Sequence, residues 1–157
     1  ERAMALGVID EIALDWASAL HGADFVLLAM PVGQANAVMA AMAPHLASET
    51  IVTDAGSTKR DVIEAIYAHL DAQLSHVVPA HPIAGAEKSG ADAAFATLYR
   101  GRNVVVTPLP ENDPAAVARV REFTNLFEDY AESGYDAAWV RRECVDAVVG
   151  QLPRMAV

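Results

Sequence analysis

Thr50-Ile51-Val52-Thr53-Asp54-Ala55-Gly56-Ser57-Thr58-Lys59 begins as an apolar, β-branched run and ends in a small, hydroxylated loop. β-branched residues suit strands, so Thr50–Asp54 is predicted to be one. Val62, Ile63, Ile66 and Leu70 then recur on one helical face, which predicts a helix over Arg60–Leu70. Strand, loop and amphipathic helix in this order make up part of a βαβ unit.

The same grammar extends in both directions. Upstream, residues 13–21 read as a short helix, Phe25–Met30 as an apolar strand, Pro31-Val32-Gly33-Gln34 as a turn and Ala35–Leu46 as a helix. Downstream, His76–Ala80 and Asn103–Thr107 read as strands. Asp113 is placed to cap a helix with Pro114 at its first position, running to about Tyr130. Near-continuous apolar strands alternating with amphipathic helices predict an α/β fold with a mainly parallel sheet covered on both faces. Glu132-Ser133-Gly134-Tyr135 breaks the pattern, and Asp136–Val149 reads as a further helix.

Composition narrows the function. A hydrophobic content of 54% over 157 residues supports a real buried core. The formal net charge of -10 argues against nucleic acid or an anionic membrane surface as partner. Cys144 stands alone, so no internal disulfide forms and a reducing cytoplasm fits. No apolar run approaches the roughly 18 residues of a membrane span. Glu1-Arg2-Ala3-Met4 has no signal-peptide architecture and reads as a start inside a domain.

Three loops leave the carboxyl ends of consecutive predicted strands: Met30-Pro31-Val32-Gly33, Asp54–Lys59 and His81-Pro82-Ile83-Ala84-Gly85. Open α/β sheets bind ligands along that edge. Ser57 offers a hydroxyl, and His81 offers an imidazole able to accept a proton near neutral pH. Plainer readings stand beside these. Asp54–Thr58 also fits a turn opening the next helix, His81 a satisfied strand-end histidine, and Glu87-Lys88 an exposed ion pair. His21, His45, His69 and His76 lack metal-ligand spacing and read as structural or solvent-facing, so no metal is expected. Cys144 has no histidine partner in view and is not expected to be a nucleophile, while Trp16 and Trp139 read as packing residues. No Gly-x-Gly-x-x-Gly fingerprint occurs in the chain.

The order and spacing of these loops resemble prephenate dehydrogenase and its arogenate-using relatives over roughly residues 5–130. The likeness begins at Ala5–Asp10 and continues through Ala23–Val32. It is strongest at Val52-Thr53-Asp54-Ala55-Gly56-Ser57-Thr58-Lys59 and at His81-Pro82-Ile83-Ala84-Gly85-Ala86-Glu87-Lys88-Ser89-Gly90, and includes Leu98–Gly101 and Val104–Pro108. The resemblance implies a partial Rossmann-like doubly wound domain over 1–130, lacking its glycine-rich first unit. Residues 131–157 would then begin a helical dimerisation domain. It implies NAD or NADP as cofactor, prephenate or arogenate as substrate, oxidative decarboxylation in tyrosine synthesis, and a homodimer. By motif position, His81 and Ser57 are catalytic; Ser57, His81, Gly85 and Glu87 contact substrate; and Met30, Pro31, Asp54, Ala55, Gly56 and Pro82 line the cofactor. Without the glycine-rich unit these residues alone are expected to bind the cofactor weakly or not at all. Where the family carries His-Asp and then Ser-His-Leu-Pro-His, this chain has Val145-Asp146 and Gly150-Gln151-Leu152-Pro153-Arg154. Two rival readings are another Rossmann dehydrogenase acting on a β-hydroxy acid, and a non-catalytic binding module that kept the fold.

Overall fold

A computed structural model of the chain describes residues 1–85 and 90–129, with side chains through 125. Glu87, Lys88, Trp139, Cys144, the helix expected over 136–149 and the stretch 145–154 lie outside the described residues.

Strands β1 (Phe25–Leu28) and β2 (Ile51–Asp54) pair in parallel, with Phe25 opposite Ile51 and Leu28 opposite Asp54. Helix α1 (Arg2–Ala5) and helix α2 (Trp16–Leu20) precede them. Helix α2 starts later than the expected residue 13 because Asp15 is its cap, with its carboxylate accepting from the Ser18 amide at 2.7 Å. Helix α3 (Ala35–Met42) joins the two strands and yields to a single 3-10 turn over Ala43–His45, where Pro44 supplies no amide to continue the α pattern. Helix α4 (Lys59–His69) follows β2 and buries Val62, Ala65 and Ile66.

Beyond α4 the structure departs from the expected third strand. Residues Asp71–His76 form 3-10 turns, and regular pairing begins at β3 (Ala80–Pro82). The Asn112 side chain accounts for part of the shift. Its amide donates to the carbonyls of Leu74 (2.6 Å) and Val77 (2.9 Å), and its oxygen accepts from Leu109 N at 2.7 Å. Those carbonyls are thereby withdrawn from any ladder. A single parallel bridge, Val52 with Val77, links the halves of the sheet. Strand β4 (Val104–Val106) runs antiparallel to β3. Among the described residues, the connection between them contains only turns and a three-residue 3-10 segment, and no helix to carry a parallel crossover. Helix α5 (Pro114–Asp129) opens as expected, with the Asp113 carboxylate accepting from Ala115 N at 2.7 Å.

Period-two alternation divides the core between two faces. Val26, Leu28, Val52 and Val77 pack with Met39 and Met42 of α3, Val62 and Ile66 of α4, and Leu70 just beyond it. Val78 and Ala80 pack with Ala116 and Val120 of α5, flanked by Phe25, Ile51, Val104 and Val106. The rings of Phe25 and Phe123 lie 4.5 Å apart on that second face. Both sheet faces are therefore covered, as the apolar strands require. No helix among the described residues is long and apolar enough to cross a membrane.

Candidate active site

Parallel β1 and β2 bring their carboxyl ends to one edge, and Ala55 N donates to Leu28 O at 3.0 Å across the two tips. The third tip is attached differently. Val78 N donates to Val52 O at 2.8 Å, and beyond that point side chains replace the main-chain ladder between β2 and β3. Thr53 Oγ1 donates to Val78 O at 2.8 Å. Asp54 Oδ1 accepts from Ala80 N at 3.1 Å, and Oδ2 from Gly56 N at 2.8 Å. The Lys59 ammonium, from the first turn of α4, donates to Asp54 Oδ2 and to Ala80 O, the latter at 2.5 Å.

The local folding of this corner follows from Gly56. A β-carbon there would stand 2.9 Å from both Asp54 Oδ2 and Val32 Cγ2. Only glycine lets the loop pass tightly enough for its amide to meet the carboxylate. Asp54 is buried, and the Lys59 side chain is only 18% exposed. Burial pulls the Lys59 ammonium below its ordinary pKa, and the Asp54 carboxylate opposes that shift.

His81 stands opposite Val105 in the antiparallel pair and is half-buried. Alternation sets its side chain on the face opposite Ala80 and Pro82, away from α5. The other face carries α3 and α4, whose entry loop presents the exposed Ser57. Among the described residues neither the His81 side chain nor the Ser57 side chain has a hydrogen-bond partner, so both polar groups are available to a ligand. Gly85 and Pro31 are exposed, Ala55 and Gly56 half-buried, and Pro82 buried. Met30 packs into the core. The Asp54 carboxylate points inward to its three donors, which leaves the Asp54-Ala55-Gly56 backbone as the part facing the edge. Glu87 lies outside the described residues.

Thr53 and Lys59 are the participants that the sequence did not single out. The signal for Lys59 was its place five residues after an acidic strand end, and that for Thr53 a hydroxyl in an otherwise apolar strand. On the α5 side, a cavity of about 20 Å³ between Thr53, Asp54, Ala80, Pro82 and Phe123 has room for one water. A shallow groove of about 500 Å³ runs along the first turns of α5, lined by Pro108, Asn112, Arg121 and Asn125. It is remote from the strand tips, and the hydrogen-bonding groups converge at the tips instead. Among the described residues no group of three or more His, Cys, Asp or Glu is arranged to hold a metal ion.

A parallel strand pair extended by an antiparallel one and covered by helices on both faces, with small residues and ionisable groups gathered at the strand tips, is the arrangement of a Rossmann-type nucleotide-binding domain, here in part. The sequence profile described as "Prephenate dehydrogenase, nucleotide-binding domain" matches residues 1–129, and the chain belongs to that family. It is 38% identical over 123 residues to the cyclohexadienyl dehydrogenase of Zymomonas mobilis, covering 78% of this chain and 41% of that protein. It also superposes on the crystal structure of prephenate dehydrogenase from Aquifex aeolicus with a TM-score of 0.72 and 31% identity, covering 80% of this chain and 45% of that one. A second structure of the Aquifex aeolicus enzyme, in complex with hydroxyphenyl propionate and NAD+, matches with a TM-score of 0.70 and 30% identity, over 81% of this chain and 44% of that one. The chain thus spans less than half the length of these relatives.

Proposed function

We propose that this domain serves the NAD- or NADP-dependent oxidative decarboxylation of prephenate or arogenate, a step of tyrosine biosynthesis, in a cytoplasmic homodimer. The reading rests on one observation above all. Among the described residues the His81 imidazole has no hydrogen-bond partner, and its strand tip is tied through Ala80 to Asp54 and Lys59, the residues that bracket the Ser57 loop. Family membership and a relative solved with NAD+ and an aromatic acid support it.

A bound nicotinamide supplies the hydride acceptor. His81 then has one task, to take the proton of the ring hydroxyl as hydride leaves the carbon that bears it. Carbon dioxide departs, the ring becomes aromatic, and the proton can return to the phenolic oxygen. Aromatisation supplies the driving force, so the protein mainly orients and deprotonates. Ser57 would hold the hydroxyl beside the nicotinamide. By motif position, Gly85 and Glu87 would contact the substrate, and Met30, Pro31, Asp54, Ala55, Gly56 and Pro82 would line the cofactor. The closely approaching backbone at Ala55-Gly56 and the exposed Pro31 edge fit a flat, polar ligand.

The test is prephenate- or arogenate-dependent reduction of NAD+ or NADP+ by the purified full-length protein that carries this domain, run for all four pairs. His81→Asn is expected to fold normally and to lose turnover by about 10²–10⁴-fold. A His81→Asn protein that keeps wild-type turnover ends this reading.

A further inference from the structure

The main chain of Ala80 is held in an unusual way. Pro79 O accepts from Thr107 N, and Ile83 N donates to Asn103 O, so residues 79, 81 and 83 direct their main-chain groups toward β4. The N–H and C=O of Ala80 therefore face the other edge, toward β2. No β2 backbone reaches them; Asp54 takes the N–H and Lys59 takes the C=O.

The Ala80 carbonyl belongs to the same peptide plane as the His81 amide. Anchoring that plane from the β2 side, while β4 holds the other, fixes the direction in which the His81 side chain leaves the strand. The anchor is costly. A cation in the first turn of a helix is opposed by the helix dipole, and its partial burial adds a desolvation cost. An apolar residue would fill the corner of α4 without either cost, but could not hold the carbonyl.

We infer that Lys59 is a positioning residue for His81, acting through the Ala80 carbonyl with Asp54 as its counter-charge. The inference rests on the reading of His81 as proton acceptor, and its test separates the two. Lys59→Met keeps the stem and removes the anchor, but strands the Asp54 charge. Lys59→Met/Asp54→Asn removes both charges and leaves one oxygen, which can accept from Ala80 N or from Gly56 N but not from both.

The double variant is expected to recover part of the unfolding midpoint lost in the single one, because no buried charge is left unpaired. In both, kcat stays at least about tenfold below wild type, and in Lys59→Met KM for the nicotinamide cofactor moves less than about threefold. A double variant that regains both the midpoint and kcat to within about twofold makes Lys59 a mere brace and overturns the inference. A second measurement needs no turnover. Carbon and amide resonances of Ala80 and His81, followed by NMR in the chain itself, are expected to shift and broaden in the double variant. Unchanged resonances also overturn the inference. If the full-length wild-type protein reduces no cofactor with either substrate, the functional reading fails and the resonances alone decide the role of Lys59.

Discussion

The Ala80 amide donates to the Asp54 carboxylate at 3.1 Å across the gap between the second and third strands. This bond stands in for a main-chain rung. It joins the tip that carries the Ser57 loop to the tip that carries His81, and it makes the packing of the Asp54 corner a condition of the site.

Gly56→Ala tests how tightly that corner is built. The added methyl meets the Asp54 carboxylate and Val32 at 2.9 Å, and Val62 at 3.3 Å. We expect a loss of about 1–3 kcal/mol, the usual cost of overpacking. Urea unfolding reads it, and an unchanged midpoint would show that the loop has slack.

Thr53→Val asks whether the hydroxyl matters more than the shape. Valine fills the same volume but leaves the buried Val78 carbonyl without its 2.8 Å donor. The expected cost is about 1–3 kcal/mol, the penalty of an unpaired buried acceptor. Calorimetry showing a stability equal to wild type would mean that water replaces the hydroxyl.

Asn112→Asp probes the other brace on the third strand. The aspartate keeps an acceptor for Leu109 N and loses both donations, to Leu74 O and Val77 O. A drop of about 1–3 kcal/mol is expected for the carbonyls left unpaired. Asn112→Asp with wild-type stability to denaturant would remove Asn112 as the reason the strand begins late.

Tyr67 supplies the pH test. Its hydroxyl donates to Glu111 at 3.0 Å, and that bond to a carboxylate holds the phenol above its ordinary pKa of 10.0. The neutral phenol is the form the folded state favours. The stabilisation is present below the ordinary value and is lost as pH rises through the raised folded one. Ultraviolet titration of wild type against Tyr67→Phe and Glu111→Gln should show one phenol ionising late, and ionising earlier in Glu111→Gln. A Tyr67 titration unaffected by Glu111→Gln would refute the assignment.

Ser57→Ala separates site from scaffold. The side chain is exposed in the loop before α4, so stability should stay within about 0.5 kcal/mol of wild type. Turnover should fall up to about tenfold, the worth of one hydrogen bond to the reacting hydroxyl. Equal turnover would take Ser57 out of the proposed chemistry.

Much of the fold was legible because its signals are local. The apolar runs at Phe25–Leu28 and Ile51–Asp54 become parallel strands, the helical stripe at Val62 and Ile66 becomes the buried face of α4, and Asp113-Pro114 opens α5. What was not legible depends on distant partners. The apolar Val77-Val78 pair reads as mid-strand, yet the side chain of Asn112, 35 residues on, claims the Val77 carbonyl. The direction of β4 is set by the connection before it, not by Val104–Val106. At the candidate site, His81 and Ser57 stood out because their chemistry is conspicuous. Lys59 did not, because a lysine opening a helix normally points to solvent, and only the tertiary structure turns it inward onto Ala80.

The seam between the second and third strands also bears on engineering. A loop such as 81–85 is an obvious unit to graft into another α/β scaffold. Here its orientation is written two elements earlier in the chain, so a transplant that leaves Asp54 and Lys59 behind carries the histidine without its aim.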